Sequence, residues 1–333
     1  MQKILVIQTA FIGDVVLATS LLESLHAQYP LAAMDVLVRQ GNESLFHGHP
    51  FIHEVIVWNK KKQKYIHWLK ILIQIRKAQY DAVVNVQRFA ATGLWTALSK
   101  AKFKIGFNKN PFSFLFTHSI KHLEIEAGMH EINRNHQLIQ VWGPIVLVPP
   151  KLYPSAKDLE SIQKYQDQPY VCIAPASVWY TKQYPLSAWV KFLQALPFDG
   201  PIYILGGAGD RIIGEKMMKS ANKQLINLAG DIGFLASAAL QAKAVLNYVN
   251  DSAPMHFASA MNAPVVAIYC STIPAFGYGP LSEQSFIVQT QENLACRPCG
   301  LHGKKKCPLT HFNCAHSIQI QELISPLLQV LQH

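Results

Sequence analysis

No stretch of the 333 residues reaches the roughly 18 uninterrupted apolar positions that a membrane-spanning helix needs. The opening run, Met1 to Ile7, lacks the basic flank, longer apolar region and small-residue cleavage site of a secretory leader. A soluble chain retained in the cytoplasm is therefore expected. There is no internal repeat and no low-complexity segment. Helix-turn-helix, zinc-finger and RNA-stacking signatures are missing, which argues against nucleic acid as a partner. Acidic residues are also scarce: 20 Asp and Glu stand against 30 Lys and Arg, a formal net charge of +10. That balance favours acidic partners such as phosphorylated small molecules or anionic lipid.

Half of the residues are hydrophobic and only 15% are charged. A chain of this length exceeds what one core usually supports, so two domains are expected. Apolar strand-like runs alternate with helical stretches. Lys3–Ile7, Met34–Val38, Glu54–Trp58 and Ala82–Val86 read as strands, with helices at Val15–Gln28 and Lys64–Lys77 between them. The rhythm restarts at Tyr170–Ala174 and continues through strands at Pro201–Leu205, Ala244–Val249 and Val265–Tyr269. Helices are expected at Leu186–Leu196, Gly214–Asn222 and Ala253–Met261. Val146 to Pro154 carries three prolines and reads as a linker. This is an α/β pattern: two Rossmann-like, doubly wound domains facing across a cleft. We place them at 1–150 and 151–316, with a C-terminal helix over 317–333 that composition leaves free to pack back on the first domain.

Four loops after strands carry chemistry. In Thr9-Ala-Phe-Ile-Gly-Asp-Val-Val-Leu17, Gly13 allows a tight turn and Asp14 opens the helix. Spacing alone favours Asp14 as an N-cap, with a general base as the other reading. The loop is not a G-x-G-x-x-G fingerprint. The second loop, Ala174 to Pro185, offers Ser177, Thr181 and Lys182, and one lysine among hydroxyls suits a diphosphate. The third, Ile204-Leu-Gly-Gly-Ala-Gly-Asp-Arg211, allows close backbone approach at Gly206 and Gly207. The fourth is the most informative: Val249-Asn-Asp-Ser-Ala-Pro-Met-His256. Here Asp251, Ser252 and Ala253 lead into a helix whose free amides make an anion site, with His256 one turn in.

Taken together and in order, these segments resemble the ADP-heptose:lipopolysaccharide heptosyltransferases, glycosyltransferase family 9, which have the GT-B fold. The similarity also includes His130-Glu-Ile-Asn-Arg-Asn135, Tyr184-Pro185, Asn227-Leu-Ala-Gly230 and Pro264-Val-Val-Ala267. The resemblance implies an inverting transfer with Asp14 as base and Lys182 on the donor diphosphate. It implies donor contacts at Asp251, Ser252, Ala253 and His256, and no cofactor. No Asp-x-Asp pair appears in the chain. The implied partners are ADP-heptose and a lipopolysaccharide-core acceptor at the inner face of the inner membrane. Lys60, Lys61, Lys62, Lys64 and Arg88 are candidates for the acceptor side. The chain departs from the family pattern at Phe11, where many relatives carry arginine, at Ala253 in place of glycine, and at Tyr269-Cys-Ser-Thr272.

Four of the six cysteines crowd one segment: Cys296-x2-Cys299-x7-Cys307-x6-Cys314, with His302, His311 and His316 nearby. In a cytosolic chain such thiols are either a structural zinc site or free. Cys172 and Cys270 lie in strand-like runs and read as core residues.

Overall fold

The computed structural model describes residues 1–60, 64–123 and 128–332. The chain divides into two compact units, Met1–Tyr153 and Pro154–His333, just beyond the expected boundary at 150. Among the described residues no helix is long and apolar enough to cross a membrane.

The first unit contains strands β1 (Lys3–Ile7), β2 (Ala33–Arg39), β3 (Ile52–Trp58), β4 (Ala82–Asn85), β5 (Phe103–Phe107) and β6 (His118–Ile120). Its helices are α1 (Ile12–Gln28), α2 (Lys64–Ala78), α3 (Ala90–Leu98) and α4 (Glu131–His136). The strands form one parallel sheet in the order β3-β2-β1-β4-β5-β6. Parallel sheets are covered on both faces, so their strands read as unbroken apolar runs. Ile4, Leu5, Val6 and Ile7 of β1 are accordingly fully buried.

Helix α1 is buried at every position from Val15 to Leu25, including hydroxyls. Those hydroxyls hold the proline-rich segment that reads as a linker in the sequence. Ser20 donates to the Val148 carbonyl, while Ser24 and Thr19 accept from the amides of Val148 and Lys151 at 2.9 and 3.0 Å. Tyr153 donates to Glu23 at 3.0 Å, and burial pushes the Glu23 carboxyl up. A segment with no strand partner must satisfy its backbone elsewhere. Here helix side chains do so, and the segment belongs to the first unit as far as Tyr153.

The second unit repeats the plan. Its strands are β7 (Val171–Ala174), β8 (Ile202–Ile204), β9 (Leu225–Asn227), β10 (Leu246–Asn250), β11 (Val265–Tyr269) and β12 (Ser285–Gln289). They are parallel, in the order β12-β11-β10-β7-β8-β9. The helices are α5 (Ala156–Ile162), α6 (Leu186–Ala195), α7 (Arg211–Ser220), α8 (Phe234–Ala242), α9 (Ala253–Ala260), α10 (Asn313–His316) and α11 (Ile320–Leu331). Successive β7 residues alternate between two cores. Val171 and Ile173 join Trp189, Phe192 and Tyr248 on one face, and Cys172 and Ala174 join Tyr170, Met255 and Tyr269 on the other. Helix α11 packs against α6 and β12, with Leu323 and Leu327 fully buried. The Tyr248 hydroxyl donates to the Leu323 carbonyl at 3.0 Å, so α11 completes the second core.

In each sheet two central strands, β1 with β4 and β7 with β10, are neighbours whose onward crossovers run to opposite edges. Their carboxyl ends are left uncovered, and ligands bind at such switch points in open α/β sheets.

His49, in the loop before β3, is buried between Phe51 and Tyr153, and neither ring nitrogen has a hydrogen-bond partner. Burial, with the charge of His26, pulls its pKa down to about 4. The unfolded chain therefore binds this proton first as pH falls. The contribution of neutral His49 is full above the unfolded value, about 6.5, and is lost as pH drops towards 4. We expect the melting temperature to fall across that window and the fall to be shallower in His49→Phe. Parallel curves for the two proteins, recorded by circular dichroism, would contradict this assignment.

Candidate functional site

At the switch point of the first sheet, the loop after β1 is fastened to the loop after β4 by two amides. Gln87 donates through Nε2 to Gln8 Oε1, which also accepts the Ala10 amide at 3.2 Å. Asp14 follows in the first turn of α1. The helix is capped by the backbone of Phe11, without a side-chain bond, so Asp14 is not the N-cap that spacing favoured. Arg39, at the end of β2, places its guanidinium over the Phe11 ring at 4.7 Å. It lies within electrostatic reach of Asp14, whose charge opposes the downward pull of burial on the guanidinium. A cation is thus supplied to this loop from β2, although position 11 itself carries no arginine.

Of the acceptor candidates, Lys60 joins this edge: its Nζ donates to the Thr9 carbonyl at 3.0 Å and covers the Trp58 ring. Burial lowers the pKa of the Lys60 ammonium, and Arg39 and Lys64 add to that effect. Lys64 and Arg88 are exposed, each over the ring of the residue that follows it. Lys61 and Lys62 lie outside the described residues.

The second unit gathers its candidates more tightly. Lys182 Nζ lies 2.7 Å from Asp251 Oδ2, and the Thr272 hydroxyl donates to that same oxygen at 2.6 Å. Asp251 directly follows β10, and Ser252 is the N-cap residue of α9, with Pro254 in the first turn. The Ser252 hydroxyl turns back to the Asn250 carbonyl at 3.4 Å and leaves the first amides of α9 uncapped by it. His256 is buried on α9. An ammonium has three donors, and the ion pair with Asp251 uses one of them. A lysine held by a carboxylate beside a helix N-terminus therefore has donors left for a phosphate oxygen.

Three sequence candidates take other roles. Thr181 is buried, and its hydroxyl accepts from Ser271 at 2.9 Å and from the Lys304 amide at 2.7 Å. It therefore fastens the loop rather than facing a ligand. Ser177 is half-buried, and its carbonyl accepts from Gln183 at 2.6 Å. At Gly206 a Cβ would meet the Asp210 side chain at 2.9 Å, because that carboxylate turns in to accept the Gly207 amide at 2.8 Å. These glycines accommodate their own turn, while Gly207 remains exposed.

Sequence reasoning missed the residues that hold the site together. The Asn250 side chain, fully buried, donates to the Pro175 carbonyl at 2.7 Å and accepts the Tyr184 amide at 2.9 Å. It ties the end of β10 to both ends of the loop that carries Lys182. Arg297 binds the carbonyls of Cys270 and Thr272 at 2.8 Å each and Gln289 Oε1 at 2.7 Å, which fixes the segment bearing Thr272. Asn250 had a visible signal, a polar residue closing an apolar strand. Arg297 had none, because its targets lie far away in sequence.

The cysteine segment is the other side of that clamp. Cys296, Cys299 and Cys307 line a surface cavity with Lys304, while Cys314 is buried in the core beneath. Among the described residues the one set of three metal-capable side chains with donor atoms within 4.8 Å of one another is Asp35, His53 and Glu54. No three of the cysteine sulfurs meet that limit. His311 accepts the Asn313 amide at Nδ1, which puts the proton of the neutral ring on Nε2, 3.9 Å from Cys296 Sγ. Asp35 in turn is taken up by Tyr80, Lys3 and His53.

Two parallel Rossmann-like units of six strands each are the α/β architecture of the GT-B fold, which by itself does not fix a reaction. The comparisons supply the family. The model of glycosyltransferase family 9 (heptosyltransferase) matches residues 68–309, more than half of the chain, and the protein belongs to that family. It is 26% identical to lipopolysaccharide heptosyltransferase 3 of Escherichia coli over 281 residues, covering 79% of this chain and 82% of that one. It is 22% identical to lipooligosaccharide heptosyltransferase 2 of Haemophilus influenzae over 315 residues, covering 87% and 89%. The solved structure of E. coli ADP-heptose LPS heptosyltransferase II matches with a TM-score of 0.81 at 22% identity, over 99% of each chain.

Replacing Asn250 by alanine leaves the Tyr184 amide and the Pro175 carbonyl buried without their partner. We expect a loss of about 1–3 kcal/mol of unfolding free energy in urea titration. A change below about 0.5 kcal/mol, the level of an ordinary surface substitution, would show that the amide is not the latch described.

Proposed function

We propose that this glycosyltransferase moves a heptose from ADP-heptose to an inner-core sugar of lipopolysaccharide, with inversion. The observation that carries the donor half is the Lys182–Asp251–Thr272 array beside the start of α9. A nucleoside diphosphate departs with the electron pair of the broken glycosidic bond, and its growing negative charge needs fixed donors. Lys182 and the α9 amides provide them, and preorganised electrostatics of this kind is usually the largest catalytic contribution. Asp251 and Thr272 touch Lys182 or each other, so they position the ammonium. The donor contacts assigned to Ser252, Ala253 and His256 follow from their place in the first turns of α9.

Asp14 removes the proton from the acceptor hydroxyl as that oxygen bonds to the anomeric carbon. Its position in the first turn of α1, at the switch point of its own sheet, supports this role. Lys60 and Arg88 extend the basic edge around it, in keeping with an acceptor that carries phosphate. The relatives named above are lipopolysaccharide or lipooligosaccharide heptosyltransferases, which supports both the sugar and the glycan class. The enzyme then works in the cytoplasm, at the inner face of the inner membrane, and needs no cofactor in this scheme.

Two measurements test the reading. In a thermal-shift panel of ADP, UDP, GDP and CMP, ADP alone is expected to stabilise the chain. At 100 times its dissociation constant a ligand adds about 2.7 kcal/mol, a shift of a few degrees at this size. A preference for UDP or GDP would overturn the sugar assignment but keep the enzyme class. In the second, Asp14→Asn is expected to lose about 10²–10⁴-fold in turnover while its ADP shift is retained. An unchanged rate would remove Asp14 from the mechanism.

A further inference from the structure

Helix α2 of the first unit has two apolar faces, and only one is covered. Ile71, Leu72 and Ile75 are buried, with Trp68 partly so, against β3 and α3. On the outward side Tyr65, Ile66, Leu69 and Ile73 are 82, 55, 52 and 47% exposed. These four fall at i, i+1, i+4 and i+8, a single stripe on a helix of 3.6 residues per turn. Scattered exposed apolar residues are ordinary, but a continuous stripe of large ones marks a surface that something covers.

The charge around the stripe says what that something is. Lys64, Lys70, Arg76 and Lys77 are all exposed on α2, and the helix carries no Asp or Glu. Lys60, Lys61 and Lys62 precede it in sequence. The carboxylate that meets α2, Glu54 of β3, is taken up by Gln74 at 2.6 Å. An apolar ridge rimmed by lysine and arginine, on a helix with no carboxylate of its own, is complementary to a bilayer whose headgroups are anionic and whose acyl region begins just beneath them. A protein partner of ordinary composition would instead be expected to find charges of both signs.

We propose that the outward face of α2 is a membrane-docking surface for anionic lipid, with Ile66, Leu69 and Ile73 entering the interface and Lys70, Arg76 and Lys77 meeting the headgroups. The topology makes this useful. Helix α2 starts from the carboxyl edge of the sheet, the edge that carries Asp14 and Lys60, so docking holds that edge close to a lipid surface. The inference takes its purpose from the reading of a lipid-linked acceptor. Its test, however, involves neither donor nor acceptor, so the two can fail separately: the ADP shift reports on one and vesicle binding on the other.

The experiment is co-sedimentation of the full chain with vesicles of phosphatidylglycerol and phosphatidylcholine mixed, against phosphatidylcholine alone. The wild type is expected to bind the mixed vesicles about tenfold or more tightly than the neutral ones, and less tightly as salt is raised. Ile66→Ser/Leu69→Ser/Ile73→Ser and Lys70→Gln/Arg76→Gln/Lys77→Gln are each expected to lose about tenfold or more in binding, with unchanged melting temperatures and ADP shifts. Wild-type protein left in the supernatant with anionic vesicles would overturn the proposal. Equal binding by the apolar variant would overturn it too. A wild-type dimer that becomes monomeric in the apolar variant, by light scattering, without vesicle binding in either, would assign the stripe to a second copy of the chain instead.

Discussion

Because β1 and β4 lie side by side while their onward crossovers depart to opposite edges, no helix covers the pair's carboxyl ends, and the loops there must hold one another. The same holds for β7 and β10. Each unit meets this constraint with a buried side-chain amide. In the first, Gln8 and Gln87 join across the gap. In the second, Asn250 reaches from β10 to the loop after β7. An amide suits the place because it donates and accepts at once, whereas an apolar residue would leave backbone groups unpaired in a dry position. The candidate residues Asp14, Lys182 and Asp251 lie in or directly beside segments held in this way.

Lys182 shows how far the mounting extends. Its ammonium is held by Asp251, Asp251 by Thr272, and the segment of Thr272 by Arg297. Gly303 adds a close approach: with φ of 74°, its turn packs where a Cβ would meet the Lys182 Cγ at 3.1 Å. A flexible four-carbon stem is costly to order, and a lysine left loose would bind a diphosphate only after losing that freedom. Here the neighbours have already fixed it. The cysteine-bearing segment takes on its meaning in this chain of contacts, as the scaffold of a clamp.

What was legible in the sequence follows from which interactions are local. The strands buried on both faces, such as Lys3–Ile7 and Val265–Tyr269, announced themselves as apolar runs, and α1 and α9 by the residues that open them. Three strands at or next to the far edge of their sheets did not. Phe103–Phe107 is interrupted by lysine and glycine, and His118–Ile120 and Leu225–Asn227 are three residues each, too short to show a period. At the site, Asp14, Lys182 and Asp251 were nameable from motif context. The pairing of Lys182 with Asp251, the diversion of Thr181 to Ser271 and Lys304, and the Arg39 guanidinium over Phe11 were not. Each of these joins residues far apart in sequence, through geometry that the sheet alone creates.

Helix α2 illustrates the opposite case, where a pattern was visible but its meaning was not. Apolar residues at Ile71, Leu72 and Ile75 already satisfy the usual rule of one stripe facing the core. The further apolar residues Ile66, Leu69 and Ile73 then exceed what a helix with one wet face requires. In sequence the two sets merge into a single hydrophobic stretch among basic residues, which reads simply as an amphipathic helix. Only burial separates them, and it places the second set on the side where every charge of the helix is positive. A surface helix that keeps large aliphatic side chains in water carries a standing aggregation risk. That surface makes physical sense where an apolar medium with negative headgroups is within reach, the same place a lipid-linked acceptor would be found.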